Sequence, residues 1–149
     1  MLCTSAFAAT SARAAYPGQN GKIYFEACDA GCSQFDVYSV NPDGSALDNL
    51  TDVVTDQPGL PDDAGQPSVS GDGSKVVFNV DSQATAEIWR INADGTNPQR
   101  LTNDNLLDHQ PSISADASKI VWNQWSPNPC PPRRRRRRDA PCSVTATSG

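Results

Sequence analysis

The sequence predicts an all-β fold assembled from repeated units, and three observations carry that prediction. The run Gln66-Pro67-Ser68-Val69-Ser70, followed by Asp72-Gly73-Ser74-Lys75-Val76-Val77-Phe78, returns 44 residues later as Gln110-Pro111-Ser112-Ile113-Ser114 and Asp116-Ala117-Ser118-Lys119-Ile120-Val121-Trp122. A second echo, displaced by 51 residues, links Val37-Tyr38-Ser39-Val40-Asn41-Pro42-Asp43-Gly44 to Ile88-Trp89-Arg90-Ile91-Asn92-Ala93-Asp94-Gly95. Within each unit, short runs alternate apolar and polar residues between Gly, Pro, Asn and Asp, the period-two pattern of half-buried strands. Repetition at such a period marks a stacked architecture, whose function belongs to the assembly of units.

Each unit reads as up to four short strands, A to D. Residues 21–25, 36–40 and 46–51 supply strands B, C and D of a first unit. In the second, Ser68-Val69-Ser70 is strand A and runs through the Gly71-Asp72-Gly73 hairpin turn. Strands B and C, Lys75-Val76-Val77-Phe78-Asn79-Val80 and Glu87-Ile88-Trp89-Arg90-Ile91-Asn92, are rich in β-branched and aromatic side chains. Asp81-Ser82-Gln83-Ala84-Thr85 is a polar connection between them. Asn92-Ala93-Asp94-Gly95-Thr96 is a turn in which Gly95 takes φ > 0 without steric cost, and Gln99-Arg100-Leu101-Thr102 is strand D. Residues 110–125 give strands A and B of a third unit. No window carries a convincing amphipathic helix.

A four-stranded meander repeating at about 40–45 residues is the blade of a β-propeller. The Gln-Pro-Ser-(Val/Ile)-Ser-x-Asp-(Gly/Ala)-Ser-Lys-(Val/Ile)-Val-(Phe/Trp) run, with residues 88–96 and Arg100-Leu101-Thr102 behind it, resembles the WD40-like repeat of TolB-type propellers. The resemblance covers residues 21 to about 125 and departs at Asp116-Ala117, where the turn normally has Asp-Gly. The expected fold is therefore a partial β-propeller of about two and a half blades, against 4–8 in typical closed propellers. Such a count is expected of a fragment, a truncated product or one part of a larger assembly.

Residues 1–15 are expected to be a truncated export signal, since Ala12-Arg13-Ala14 fits the A-x-A cleavage pattern. Residues 16–126 form the repeats, and residues 127–149 a Pro/Arg-rich tail expected to be disordered. Nothing approaches the ~20 apolar residues of a membrane span. Cys28 and Cys32 flank Asp29-Ala30-Gly31 between strands B and C, a loop able to curl to the Cα separation of a disulfide. No His or further Cys stands beside them at zinc-like spacing. Cys130 and Cys142 are candidates for a second bridge, while Cys3 would leave with the signal. Disulfides agree with a periplasmic or extracellular location.

The net charge of −5 conceals a strong asymmetry: Arg133 to Arg138 are six of the twelve basic residues. Residues 16–132 hold 16 acidic against 5 basic residues, and so acidic a body argues against nucleic-acid binding. The Arg run reads as a solvated tail without interleaved aromatics to grip bases. His109 is the only histidine, and the second unit has Gly65 in its place, so nothing in the repeat demands an imidazole. No nucleophile elbow, P-loop or dinucleotide fingerprint is present. The turns at 41–45 and 92–96 lack the EF-hand pattern and read as hairpin turns, not calcium loops. Trp89 and Trp122 fall within strands as packing between units. No catalytic, cofactor or metal residue is therefore expected.

The sequence thus points to an exported, non-enzymatic binding module. The TolB resemblance implies a periplasmic component that works with a peptidoglycan-associated lipoprotein, and hence a protein partner in the cell envelope. Uncovered faces at both ends of the stack also predict self-association. Propellers of this type also precede the catalytic domain of prolyl oligopeptidase-like serine peptidases, the alternative expectation. The loops at 26–35 and 81–86 are the variable inserts where recognition is expected.

Overall fold

The computed structural model describes residues 21–28, 31, 34–55, 63–82 and 85–126, and the backbone of 144–148. The first unit holds β1 (Ile23–Cys28), β2 (Phe35–Val40) and β3 (Asp48–Asn49), followed by a single helical turn, α1 (Asp52–Thr55). The second holds β4 (Asp63–Val69), β5 (Lys75–Asp81), β6 (Ala86–Asn92) and β7 (Gln99–Arg100). The third holds β8 (Leu107–Ile113), β9 (Ile120–Trp125) and β10 (Val144–Ser148). Within each unit, sequential strands pair antiparallel. A single parallel bridge, Ala86 to Leu107, joins the second unit to the third.

The repeat offsets become geometry. β4 and β8 start and end 44 residues apart, and β3 and β7 lie 51 apart. Both A strands begin earlier than expected, because the chain passes Pro67 and Pro111 in a bulge rather than starting after them. The register shifts between Gly65 and Ser68, and again between His109 and Ser112. Gln66 and Gln110 sit at these bulges with φ of 54° and 53°. A bulge is one of the few places where a strand tolerates a proline.

β10 lies within the Pro/Arg-rich tail, residues 127–149. Its residues pair with β9 from Val144–Gln124 to Ser148–Ile120, in the place strand C holds in the second unit. Without this partner the edge of β9 would leave its N–H and C=O groups unpaired, and Val144, Thr145 and Thr147 are β-branched strand formers. Residues 1–20 and 127–143 lie outside the described residues, and with them the expected export signal and the Arg133–Arg138 run.

The turn that departs from Asp-Gly keeps its shape. Ala117 has φ 57°, where Gly73 has 71°, and both turns close with a backbone bond to a serine, Gly73 N–H to Ser70 O and Ala117 N–H to Ser114 O, each 2.9 Å. A non-glycine residue in this region costs roughly 1–2 kcal/mol, part of which is offset by glycine's greater freedom when unfolded. Ala117→Gly is therefore expected to raise stability by about 0.5–1 kcal/mol, read as a shifted urea midpoint at unchanged m-value.

Two apolar cores form between units, not within them. Val37, Leu50 and Val54 of the first unit pack with Ala64, Val76, Phe78, Val80 and Ile91 of the second. Val77 and Ile88 of the second pack with Ile113, Ile120 and Trp122 of the third. Strand alternation explains the division: Val76, Phe78 and Val80 point to one side of β5 and Val77 to the other. The middle unit is thus covered on both faces, while the end units each bury one. Ile23 on β1 is 53% exposed, and Val121 and Trp125 on β9 are 38% and 41% exposed. Phe25 and Tyr38 stack at 5.9 Å between centroids on the paired strands β1 and β2.

Candidate functional site

The bulges of the A strands create a polar ladder that crosses all three units. Glu26 Oε2 accepts the Gln66 N–H at 3.0 Å, and Gln66 Oε1 accepts the Gln110 N–H at 2.7 Å. Gln110 Oε1 then accepts from Asn123 Nδ2 at 2.6 Å. The left-handed backbone at each glutamine frees its N–H from the sheet and turns it toward the neighbouring unit. The Gln-Pro signal of the sequence is therefore a connector between units. Beside the ladder, His109 Nδ1 lies 3.6 Å from Asp81 Oδ1, an ion pair whenever the imidazole is protonated. Gly71 closes the approach of the turns, its N–H bonding Ala115 O at 3.0 Å. A Cβ there would stand 2.8 Å from that of Ala115.

A second polar constellation recurs at the offset of 51. In the first unit, Thr51 Oγ1 donates to Asp36 Oδ1 at 2.8 Å and accepts the Val37 N–H at 3.0 Å, while Asn49 Nδ2 donates to Asp36 Oδ2 at 3.0 Å. In the second, Thr102 Oγ1 donates to Glu87 Oε2 at 2.7 Å and accepts the Ile88 N–H at 2.9 Å. Arg100 takes the place of Asn49, its guanidinium 2.7 Å from Glu87 Oε1. Each clamp ties strand C to the chain leaving strand D, and in each the acid is buried. Burying a carboxylate is costly unless it is paired; here Asp36 is held by Thr51 and Asn49, and Glu87 by the Thr102 hydroxyl and the Arg100 ion pair.

At the junction of the second and third units this clamp meets two more carboxylates. Glu87, Asp104 and Asp108 each offer an oxygen, all within 4.8 Å of one another. Asp104 is exposed; its Oδ1 accepts the Leu106 N–H at 2.9 Å and its Oδ2 accepts from Gln124 Nε2 at 3.1 Å. Asp108 is fully buried. Burial raises its carboxyl above the ordinary range, and the Asp104 charge adds to this; the Thr102, Gln124 and Trp122 side chains pull the other way. None reaches hydrogen-bonding geometry with it among the described residues, and the Trp122 Nε1–H is buried and unpartnered too. Sequence reasoning missed this cluster. The available signal was Asp108 itself, since the preceding unit has Ala64 at that place.

The turn aspartates behave as turn chemistry predicts. Asp43 Oδ1 accepts the Ser45 N–H and Oγ at 2.9 and 2.7 Å, and Asp94 Oδ1 accepts those of Thr96 at 3.0 and 2.6 Å. Hydrogen bonds from Ser70 and Ser74 lower Asp72 from its ordinary 3.8 to about 2, and Ser114 and Ser118 do the same for Asp116. A depressed carboxyl stabilises the fold above its unfolded value and loses that contribution as pH falls through its folded one. These turns are expected to weaken between pH 3.8 and about 2, with both carboxyl resonances titrating near the lower end in NMR. Cys28 is half-buried at the end of β1 and is disulfide-bonded; Cys32, Cys130 and Cys142 lie outside the described residues. Trp122 joins the core between the second and third units, and Trp89 packs against the other.

No protein-family model matches the chain, and no curated protein matches it. Solved structures do. The putative TolB from Agrobacterium tumefaciens aligns with a TM-score of 0.58 at 23% identity, over 74% of this chain and 36% of that one. TolB from Acinetobacter baumannii aligns at 0.51 and 18% identity, over 68% and 23%. The fold is that of part of a β-propeller. The units are its blades, and the chain spans about a third or less of the length of these TolB proteins. The ladder joins blade to blade, and each clamp ties strand C to the chain leaving strand D within its own blade. Among the described residues, no helix is long and apolar enough to cross a membrane.

Proposed function

We propose that the chain is an exported, non-enzymatic β-propeller module that binds a protein partner in the cell envelope. The observation that supports this most is the polar ladder through Glu26, Gln66, Gln110 and Asn123. It fixes the A strands, which lie nearest the central channel of a propeller, as a rigid platform for the loops around them. Rigid scaffolds carrying loops are where recognition concentrates. The TolB resemblance supports the envelope location, and the expected Cys28–Cys32 and Cys130–Cys142 bridges fit an oxidising compartment. The apolar outer faces at Ile23 and at Val121 and Trp125 support self-association of copies.

Site-specific photo-crosslinking in cells tests the proposal. A photoreactive residue at Ser112, exposed on β8, is expected to give a discrete adduct with an envelope protein that the same residue at exposed Leu47 does not. The purified partner should then bind the chain saturably. Absence of an adduct, or equal adducts from both positions, would count against it.

A further inference from the structure

The two clamps show how much acid the fold itself requires. Asp36 is satisfied by Thr51 and Asn49, and Glu87 by Thr102 and Arg100. Asp108 belongs to neither arrangement. It is fully buried, and neither of its oxygens has a hydrogen-bond partner among the described residues. An unpartnered buried carboxylate carries a desolvation penalty that something must offset. The oxygens of Asp108, Glu87 and Asp104 converge within 4.8 Å. Three carboxylates against the single Arg100 guanidinium leave two negative charges, which a divalent cation neutralises.

The donors are all oxygens, without His or Cys, and this selects a hard cation. Ca²⁺ holds its ligands at 2.3–2.6 Å, so oxygens on opposite sides of it lie up to about 5 Å apart. Mg²⁺, at 2.0–2.1 Å, spans only about 4 Å and demands near-ideal octahedral geometry. We propose that Glu87, Asp104 and Asp108 form a Ca²⁺ site at the junction of the second and third blades. Asp104 stands at the exposed rim as the entry, its carboxylate oriented by the Leu106 N–H on Oδ1 and by Gln124 on Oδ2. Bound there, the ion ties β6, the connection after β7, and β8 together, adding to the single backbone bridge between β6 and β8.

Calorimetric titration of the full chain with Ca²⁺ tests this, alongside Tb³⁺ luminescence excited through tryptophan, because Trp122 lies beside the cluster. One Ca²⁺ per chain is expected, with a Kd of about 1 mM or tighter, the range of extracellular calcium modules, and with Tb³⁺ emission displaced by Ca²⁺. Asp108→Asn and Asp104→Asn are each expected to weaken binding roughly tenfold or more, while Asp94→Asn in a turn leaves it unchanged. Asp104 is exposed, so its variant carries the test even where Asp108→Asn fails to fold. No binding at millimolar Ca²⁺ would overturn the site, as would binding that both variants retain.

Discussion

Replacing Phe78 with alanine is expected to cost about 3–5 kcal/mol, the range for deleting a wholly buried aromatic side chain. Phe78 is 0% exposed and lies on the β5 face that meets Val37, Leu50 and Val54 of the first blade. Its loss opens a cavity between blades, where no single sheet can close over it. A domain of this size is stable by about 5–15 kcal/mol, so the change removes a large share. The measurement is urea unfolding followed by circular dichroism. Val121→Ala on the uncovered face of β9 serves as the contrast and is expected to shift stability by less than about 1 kcal/mol.

Removing the clamp hydroxyl is the second large effect. Thr102→Val keeps the volume but leaves the Ile88 N–H without its acceptor and takes a donor from Glu87, which is 2% exposed. An unsatisfied buried group costs about 1–3 kcal/mol, more where a charge is involved. Thr51→Val removes the matching pair of bonds at Val37 and Asp36 and is expected to cost a similar amount. Thr→Ser at either position should retain most of the stability. Equal losses at the two sites, read from unfolding midpoints, would show one device used twice.

The repeat made most of the fold legible. The 44-residue offset placed β4 with β8 and β5 with β9, and the 51-residue offset placed β2 with β6 and β3 with β7. The bulges were not legible, because Pro67 and Pro111 read as boundaries at which the A strands begin, when the chain in fact passes them with glutamine in a left-handed conformation. The strand near the end of the tail was not legible for a different reason. Val144 to Ser148 is too short and too far from β9 in sequence for its alternation to announce a partner. The carboxylate cluster was hidden by distance as well, since Glu87 and Asp108 lie in different blades and meet only when the sheets stack. A charged residue at an inward-pointing position, such as Asp36 or Glu87 next to an apolar run, was the clue that the clamps existed.

The central claim is that the blades stack face to face, with the middle one covered on both sides. Amide hydrogen exchange on the monomeric chain, resolved by strand, tests this most directly. The account predicts the slowest exchange in β5 and β6, and markedly faster exchange in β1 and β9, whose outer faces are open. Protection in β1 or β9 equal to or above that of β5 would contradict it.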